Sequence, residues 1–233
     1  MHPATLRAQI EATIPSAFVC YRRAEQETMP TGISQIDHAT GGVPLRALTE
    51  LCGSHLASSG KTSVLVSLLA QASREHFCAL VDATDAFDPS TAEAAGVNLS
   101  RLCWVRCGKS KVRLRPLEQA FKAADLLLQN GGFGLIAVDL SGIPERFVAK
   151  VPMLTWFRFS RVIEKQSAAL IFIEREPHAT SCAGLVLRMR AEAAAFSGNV
   201  LTQFHLRAEP FRTRDRKPSC SQTLDFSLKT QWA

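Results

Sequence analysis

At 233 residues, 46% hydrophobic and 21% charged, the chain has the balance of a soluble globular protein with one core domain and appendages, not of a disordered one. No apolar run approaches ~18 residues and no basic-then-apolar leader opens the sequence, so a cytoplasmic protein without membrane contact is expected. A net charge of +6 points to phosphate-bearing or acidic partners.

In chain order, Leu6, Ile10 and Ile14 recur every four residues and predict a short N-terminal helix ended by Pro15. Such a helix needs a surface to bury against, either its own core or a neighbouring copy. Residues 16–30 read as a connector. Ala47 to Cys52 reads as a buried strand, and Val64 to Ala70 opens a helix. Between them lies Ser58-Ser59-Gly60-Lys61-Thr62-Ser63, the back half of a phosphate loop. Free N–H groups at a helix start, with the positive end of its dipole, form an anion site. Lys61 supplies a point charge for phosphate, and the Thr62 hydroxyl suits a magnesium shell. The spacing G-x-x-x-x-G-K-[ST] asks for glycine at position 55, where the chain has His55. The nearest earlier glycine is Gly53. A bulged or reshaped cradle follows from that, and a plain Gly/Ser-rich turn is the alternative.

Further on, Phe77 to Asp82 and Leu102 to Val105 read as buried strands. Residues 101–115 carry Arg101, Arg106, Lys109, Lys111, Arg113 and Arg115 with no acidic residue. Such a patch suits nucleic acid or an acidic partner, and otherwise makes a solvated face. Pro116 opens a helix carrying Leu117, Phe121, Ala124 and Leu128, which Gly131-Gly132 stops. Leu135 to Asp139 is a strand, 150–166 a helix, and Ala169 to Glu174 a strand. Three period-two stretches, at 185–190, 200–207 and 223–228, then predict a small antiparallel meander. The Pro- and Arg-rich segment 209–218, with Arg212, Arg214 and Arg216, interrupts it. Seven cysteines without a C-x-x-C read as reduced thiols, mostly buried.

The alternation of strands and helices predicts an α/β fold: a mainly parallel, right-handed sheet flanked by helices, with the meander appended. Ligands in such sheets gather at the carboxyl ends of the strands, where the phosphate loop, Asp82 and Asp139 all lie. The divisions are 1–30, an N-terminal helix and connector; 31–183, the core; and 184–233, the terminal strands and basic tail.

Thr31-Gly32-Ile33-Ser34-Gln35-Ile36-Asp37 with Gly41-Gly42-Val43-Pro44 resembles the entry to the RecA core. Ser58 to Thr62, the run Val81 to Pro89 with Ala95-Gly96-Val97, and Asp139 after an apolar strand are similar to that family's phosphate loop, next strand and Walker B aspartate. The resemblance covers roughly residues 31–175. It implies a RecA-like fold, ATP and Mg2+ as cofactors, with Thr62 and Asp139 at the metal, and single-stranded DNA and further copies of the chain as partners. The chain departs from the family at three places. The water-activating glutamate is replaced by Thr84, which cannot act as a base near neutral pH. The γ-phosphate-sensing glutamine aligns with Glu174 or Arg175. The stretch after Asp139 is short for two DNA-binding loops.

Within that fold, Ile143-Pro144-Glu145-Arg146, Leu154-Thr155-Trp156-Phe157-Arg158-Phe159 and Ser181-Cys182-Ala183 resemble the ImuA-type accessory proteins of SOS-induced bacterial translesion synthesis, which are related to SulA-like proteins. That resemblance implies an ImuB-like polymerase homologue and an error-prone replicative-type polymerase as partners. Neighbours on a helix stand ~100° apart, so Trp156, Phe157 and Phe159 cannot all face the core. DNA or partner contacts are therefore expected at Arg106, Lys109, Lys111, Arg113, Arg115, Trp156, Arg212, Arg214 and Arg216. Two readings follow: a RecA-like adaptor with weak or absent hydrolysis, or a DNA-dependent ATPase of recombinase type with hydrolysis rebuilt from Asp85 or Glu174. A division inhibitor is a third, which Gly60-Lys61-Thr62 argues against.

Overall fold

The computed structural model describes residues 27–53, 59–108, 115–197, 200–213 and 223–229, besides Thr5, Ala12 and Thr13 in helical conformation. The rest of the expected N-terminal helix lies outside the described residues, as do Ser58, Lys109, Lys111, Arg113, Arg214 and Arg216.

Thr28–Met29 (β1) and Val43–Pro44 (β2) pair as a short antiparallel ribbon around the helix Ser34–Thr40 (α1). The end of the expected connector is thus a strand. Asp37 fixes the entry turn: its Oδ1 accepts the Thr31 N–H and hydroxyl, each at 2.7 Å, and its Oδ2 accepts the Gly32 N–H at 3.2 Å. The Thr31 carbonyl in turn accepts the Ser67 hydroxyl at 2.8 Å, tying this turn to the helix behind the phosphate loop.

Five strands form the parallel core: Leu48–Gly53 (β3), Cys78–Asp82 (β4), Leu102–Arg106 (β5), Leu135–Asp139 (β6) and Ala169–Glu174 (β7). Helices Lys61–Ala72 (α2), Pro89–Ala94 (α3), Pro116–Asn130 (α4), Glu145–Val148 (α5) and Met153–Ile163 (α6) alternate with them. Leu185–Ser197 (β8), Val200–Thr213 (β9) and Leu224–Lys229 (β10) complete one sheet in the order β10-β9-β8-β3-β7-β6-β4-β5. β4, β6 and β7 are apolar runs up to a terminal carboxylate because both faces of the sheet are covered, and β3, equally buried, carries Thr49 and Glu50 within it. On one face α2 packs Val64, Leu65, Leu68 and Leu69 with Ile36 and residues of the meander. On the other, α4 and α6 pack Ala124, Leu128, Trp156, Phe159 and Ile163 over Phe172 and Leu170. Trp156 meets Phe121 and Phe172 edge-on at 5.6 and 5.0 Å, the offset geometry that aromatic quadrupoles favour.

The expected helix over 150–166 is shorter, Met153–Ile163, and a separate turn of helix, α5, precedes it. Pro152 stands at the N-cap of α6 and has no amide hydrogen to continue a helix backwards, so α6 starts after it rather than at residue 150. The meander is continuous with the core, because β8 runs parallel to β3 with Thr49 opposite Leu185 and Gly53 opposite Met189. β9 also runs on to Thr213 through the segment expected to break it. Pro210 sits where the β8–β9 register shifts between Val186 and Leu187, and a bulge is a place where a residue without an N–H is tolerated.

Candidate nucleotide-binding site

The register of the parallel strands aligns the chemistry-bearing residues at one sheet edge. Asp82 lies opposite Asp139 and Arg106, Asp139 opposite Ile173, and Cys52 opposite Glu174. From β3 the chain enters α2 through Gly60, whose φ of 76° is one that side-chain-bearing residues rarely adopt. Among the described residues no side chain caps α2, and its first turn holds no acidic residue, so the positive end of its dipole suits an anion. Ser59 is buried here, while Thr62 and Ser63 are exposed on the first turn.

Lys61 faces inward. Its Nζ donates to the Gly53 carbonyl at 2.7 Å and the Glu174 carbonyl at 2.6 Å, bridging the ends of β3 and β7. Burial lowers its pKa, with the Asp139 carboxylate opposing that shift. Burial likewise raises the pKa of Asp139, whose Oδ1 accepts the Ser141 N–H at 2.9 Å. The residues fit a magnesium nucleotide: an anion-ready helix start, an ammonium within the edge, an exposed threonine hydroxyl and an aspartate at the end of β6. Bound nucleotide would supply the phosphates that draw Lys61 from its carbonyls.

The meander closes the back of this site. A Cβ placed on Gly60 would lie 2.3 Å from a methyl of Leu206 on β9, and one on Gly53 would lie 2.7 Å from the Met189 carbonyl on β8. Glycine is needed at both positions because the terminal strands approach the backbone this closely.

The hydrolytic position is altered. Thr84 is exposed and packs on Gly142, where a Cβ would come within 2.4 Å of its hydroxyl. Both neighbouring aspartates are held by hydrogen bonds. Asp82 spends its oxygens on the N–H groups of Thr84 and Phe87. Asp85 takes the Arg106 guanidinium on both oxygens, at 2.6 and 2.9 Å. Arg106 also lies 4.8 Å from the Trp104 ring centroid, so its charge is already engaged. Arg175 donates its Nε–H to the Ser141 carbonyl at 3.0 Å.

Trp156, expected at a partner surface, is only 1% exposed and belongs to the core; Phe157, its neighbour, is 39% exposed. The helix geometry that required one outward aromatic is satisfied by Phe157. Arg115 is exposed, and Arg212 lies on β9 opposite Val186.

Glu50, Glu145, Glu174 and His178 form a cluster that sequence reasoning missed. Glu50 Oε1 accepts the backbone N–H of His178 and, at 2.6 Å, that of Ala179, pinning the segment after β7. His178 Nε2 lies 2.7 Å from Glu145 Oε1, and its ring stacks on Trp156. Glu174 is 1% exposed with neither carboxylate oxygen hydrogen-bonded. Burial foremost, and then the charges of Glu50 and Glu145, hold its pKa well above the ordinary glutamate range. A lone glutamate inside the apolar run of β3 was the available signal.

These features define an α/β protein with a phosphate-loop helix start. The family model for the RecA N-terminal domain matches residues 18–145, more than half of the chain, and the chain belongs to that family. It is 35% identical over 116 residues to Protein RecA of Rickettsia bellii (strain OSU 85-389), covering 48% of this chain and 31% of that protein. It is likewise 35% identical over 116 residues to Protein RecA of Colwellia psychrerythraea, covering the same shares of the two chains. Protein RecA of Ectopseudomonas oleovorans is 36% identical over 121 residues, covering 51% of this chain and 32% of that protein. The chain thus spans about a third of the length of the curated relatives it matches.

Proposed function

We propose that this chain is a RecA-like accessory protein of the ImuA type, acting through protein contacts with a mutagenic polymerase complex and through its basic surface on DNA. ATP hydrolysis in it is weak or absent. The observation that carries this reading is position 84. Where recombinase-type ATPases need a carboxylate to activate water, the chain places a threonine packed on Gly142. Asp85, the nearest replacement, is held on both oxygens by Arg106. Glu174, the other, is buried, and its raised pKa disfavours the ionised form that a base requires.

The second reading, a DNA-dependent ATPase, is favoured by Lys61, Thr62 and Asp139 on a fold that brings them to one edge. Phosphate release from MgATP, with and without single-stranded DNA and beside Lys61→Ala, decides between the two. No turnover above the Lys61→Ala background is expected. DNA-stimulated turnover abolished by Lys61→Ala would establish the motor reading and overturn the adaptor.

A further inference from the structure

The starts of α4, α5 and α6 converge on a cleft of about 510 Å³ whose lining includes neither Lys61, Thr62, Asp82 nor Asp139. Its walls are apolar: Pro116, Leu117 and Phe121 on one side, Ile143, Pro144 and Phe147 on another. Val151 and Pro152 close it at the start of α6. The N-cap residues of all three helices, Arg115, Pro144 and Pro152, line the opening. Around this end of the molecule Phe147, Met153, Leu154 and Phe157 are 36%, 43%, 79% and 39% exposed. Four large apolar side chains exposed within eleven residues make an unusual surface for a soluble protein.

The opening carries a positive excess, Arg115 and Lys150 against Glu118. Arg115 and Lys150 stand on its rim. The one acid there, Glu118, turns back to accept the Arg115 backbone N–H. Beyond the rim Asp125 is bridged by Arg158 and Glu145 faces His178. α6 has no side-chain cap and no acid in its first turn, so the positive end of its dipole faces the opening.

We propose that this cleft docks a short segment of a partner protein: an apolar anchor flanked by aspartates or glutamates. Residues 1–26 and 214–217 do not supply such a segment. Residues 1–26 carry Arg7, Arg22 and Arg23 against Glu11 and Glu25, and residues 214–217 are Arg214, Asp215, Arg216 and Lys217. A second copy, at a net charge of +6, repels the rim in the same way. Single-stranded nucleic acid has the right charge, but the walls offer it no stacking face beyond Phe121 and Phe147 and few polar groups. An apolar side chain seated in a desolvated pocket, with acids meeting a basic rim, matches the anatomy of a small protein interface. The partner's character deepens the adaptor reading and rests on it; the cleft's chemistry does not.

The test is selection of random twelve-residue displayed peptides on the full-length protein, beside Phe147→Glu and Lys150→Glu, both altered at exposed positions. Wild type is expected to enrich peptides with an aromatic or leucine anchor and acidic flanks. Fluorescence polarisation of the enriched peptide should show about tenfold weaker binding to each variant, with unchanged melting temperatures. Absence of enrichment, basic-flanked winners, or equal affinity for the variants would overturn the proposal. So would displacement of the enriched peptide by a synthetic peptide of residues 1–26 or by a twelve-nucleotide poly-dT at equal concentration. MgATP turnover, measured separately, judges the adaptor reading, so the two can fail independently.

Discussion

Introducing a methyl group at Gly60 tests how tightly the terminal strands hold the phosphate loop. Gly60→Ala places a Cβ at φ 76°, costing about 1–2 kcal/mol in a left-handed conformation. That Cβ also falls 2.3 Å from Leu206, an overlap worth about 1–3 kcal/mol if the strand gives way only partly. The two together predict a loss of about 2–5 kcal/mol. Leu206→Ala, at a side chain 1% exposed, costs about 2–5 kcal/mol through lost burial and the cavity left behind. In the double variant the added methyl occupies part of that cavity, so only the backbone strain persists. The double-mutant cycle is then expected to show about 1–3 kcal/mol of favourable coupling. Urea denaturation followed by circular dichroism measures all four proteins. Additivity within ~0.5 kcal/mol would refute the packing of β9 on the loop.

Glu174→Gln should stabilise the protein at pH 8 and do little at pH 5. Its pKa is raised in the folded state, so the wild-type side chain favours folding below the ordinary glutamate range and loses that contribution as pH rises through the folded pKa. Each pH unit in that window is worth about 1.4 kcal/mol, or roughly 3–6 °C for a chain of this size; a pH-independent difference in melting temperature would contradict the burial. Trp156→Ala should cost about 3–5 kcal/mol, and Phe157→Ala under about 1 kcal/mol, because the first empties the aromatic core and the second trims a surface residue. Similar thermal shifts for the two would place Trp156 at the surface after all. Brief alkylation of the native protein should label Cys103, which is exposed, and spare Cys52, Cys78, Cys107 and Cys182. Burial pushes the Cys78 thiol to about 12, keeping it unreactive near neutral pH; peptide mass mapping reads the pattern.

The parallel core was legible because β4, β6 and β7 are apolar runs that end in a single carboxylate, a pattern that a sheet covered on both faces produces. The start of α2 was legible because Gly60-Lys61-Thr62 carries a conformational and a charge requirement together. What the sequence hid depends on pairings between distant segments. Nothing local marks Leu206 as the neighbour of Gly60, or Glu50 as the acceptor for the His178 and Ala179 amides. Trp156 was misplaced for a related reason. Its helix offered three aromatics to two environments, and only the position of Phe121 and Phe172 decides which ring is enclosed. Pro152 did carry a local signal, and weighing it more heavily would have started that helix after it.

The neighbour relation between β3 and β8 bears on how the chain is made. β3 leaves the ribosome before either of its neighbours, so both of its flanks stay bare until β7 and then β8 are made and pair with it. Until then the strand that leads into the phosphate loop is an apolar edge open to any strand of matching polarity. A nascent chain therefore completes its ligand-bearing strand only after the other strands of the parallel core are made, and β8 of a second chain is the competitor best shaped to finish it wrongly. Slowing translation after residue 184, or truncating there, should turn folding into strand exchange between copies.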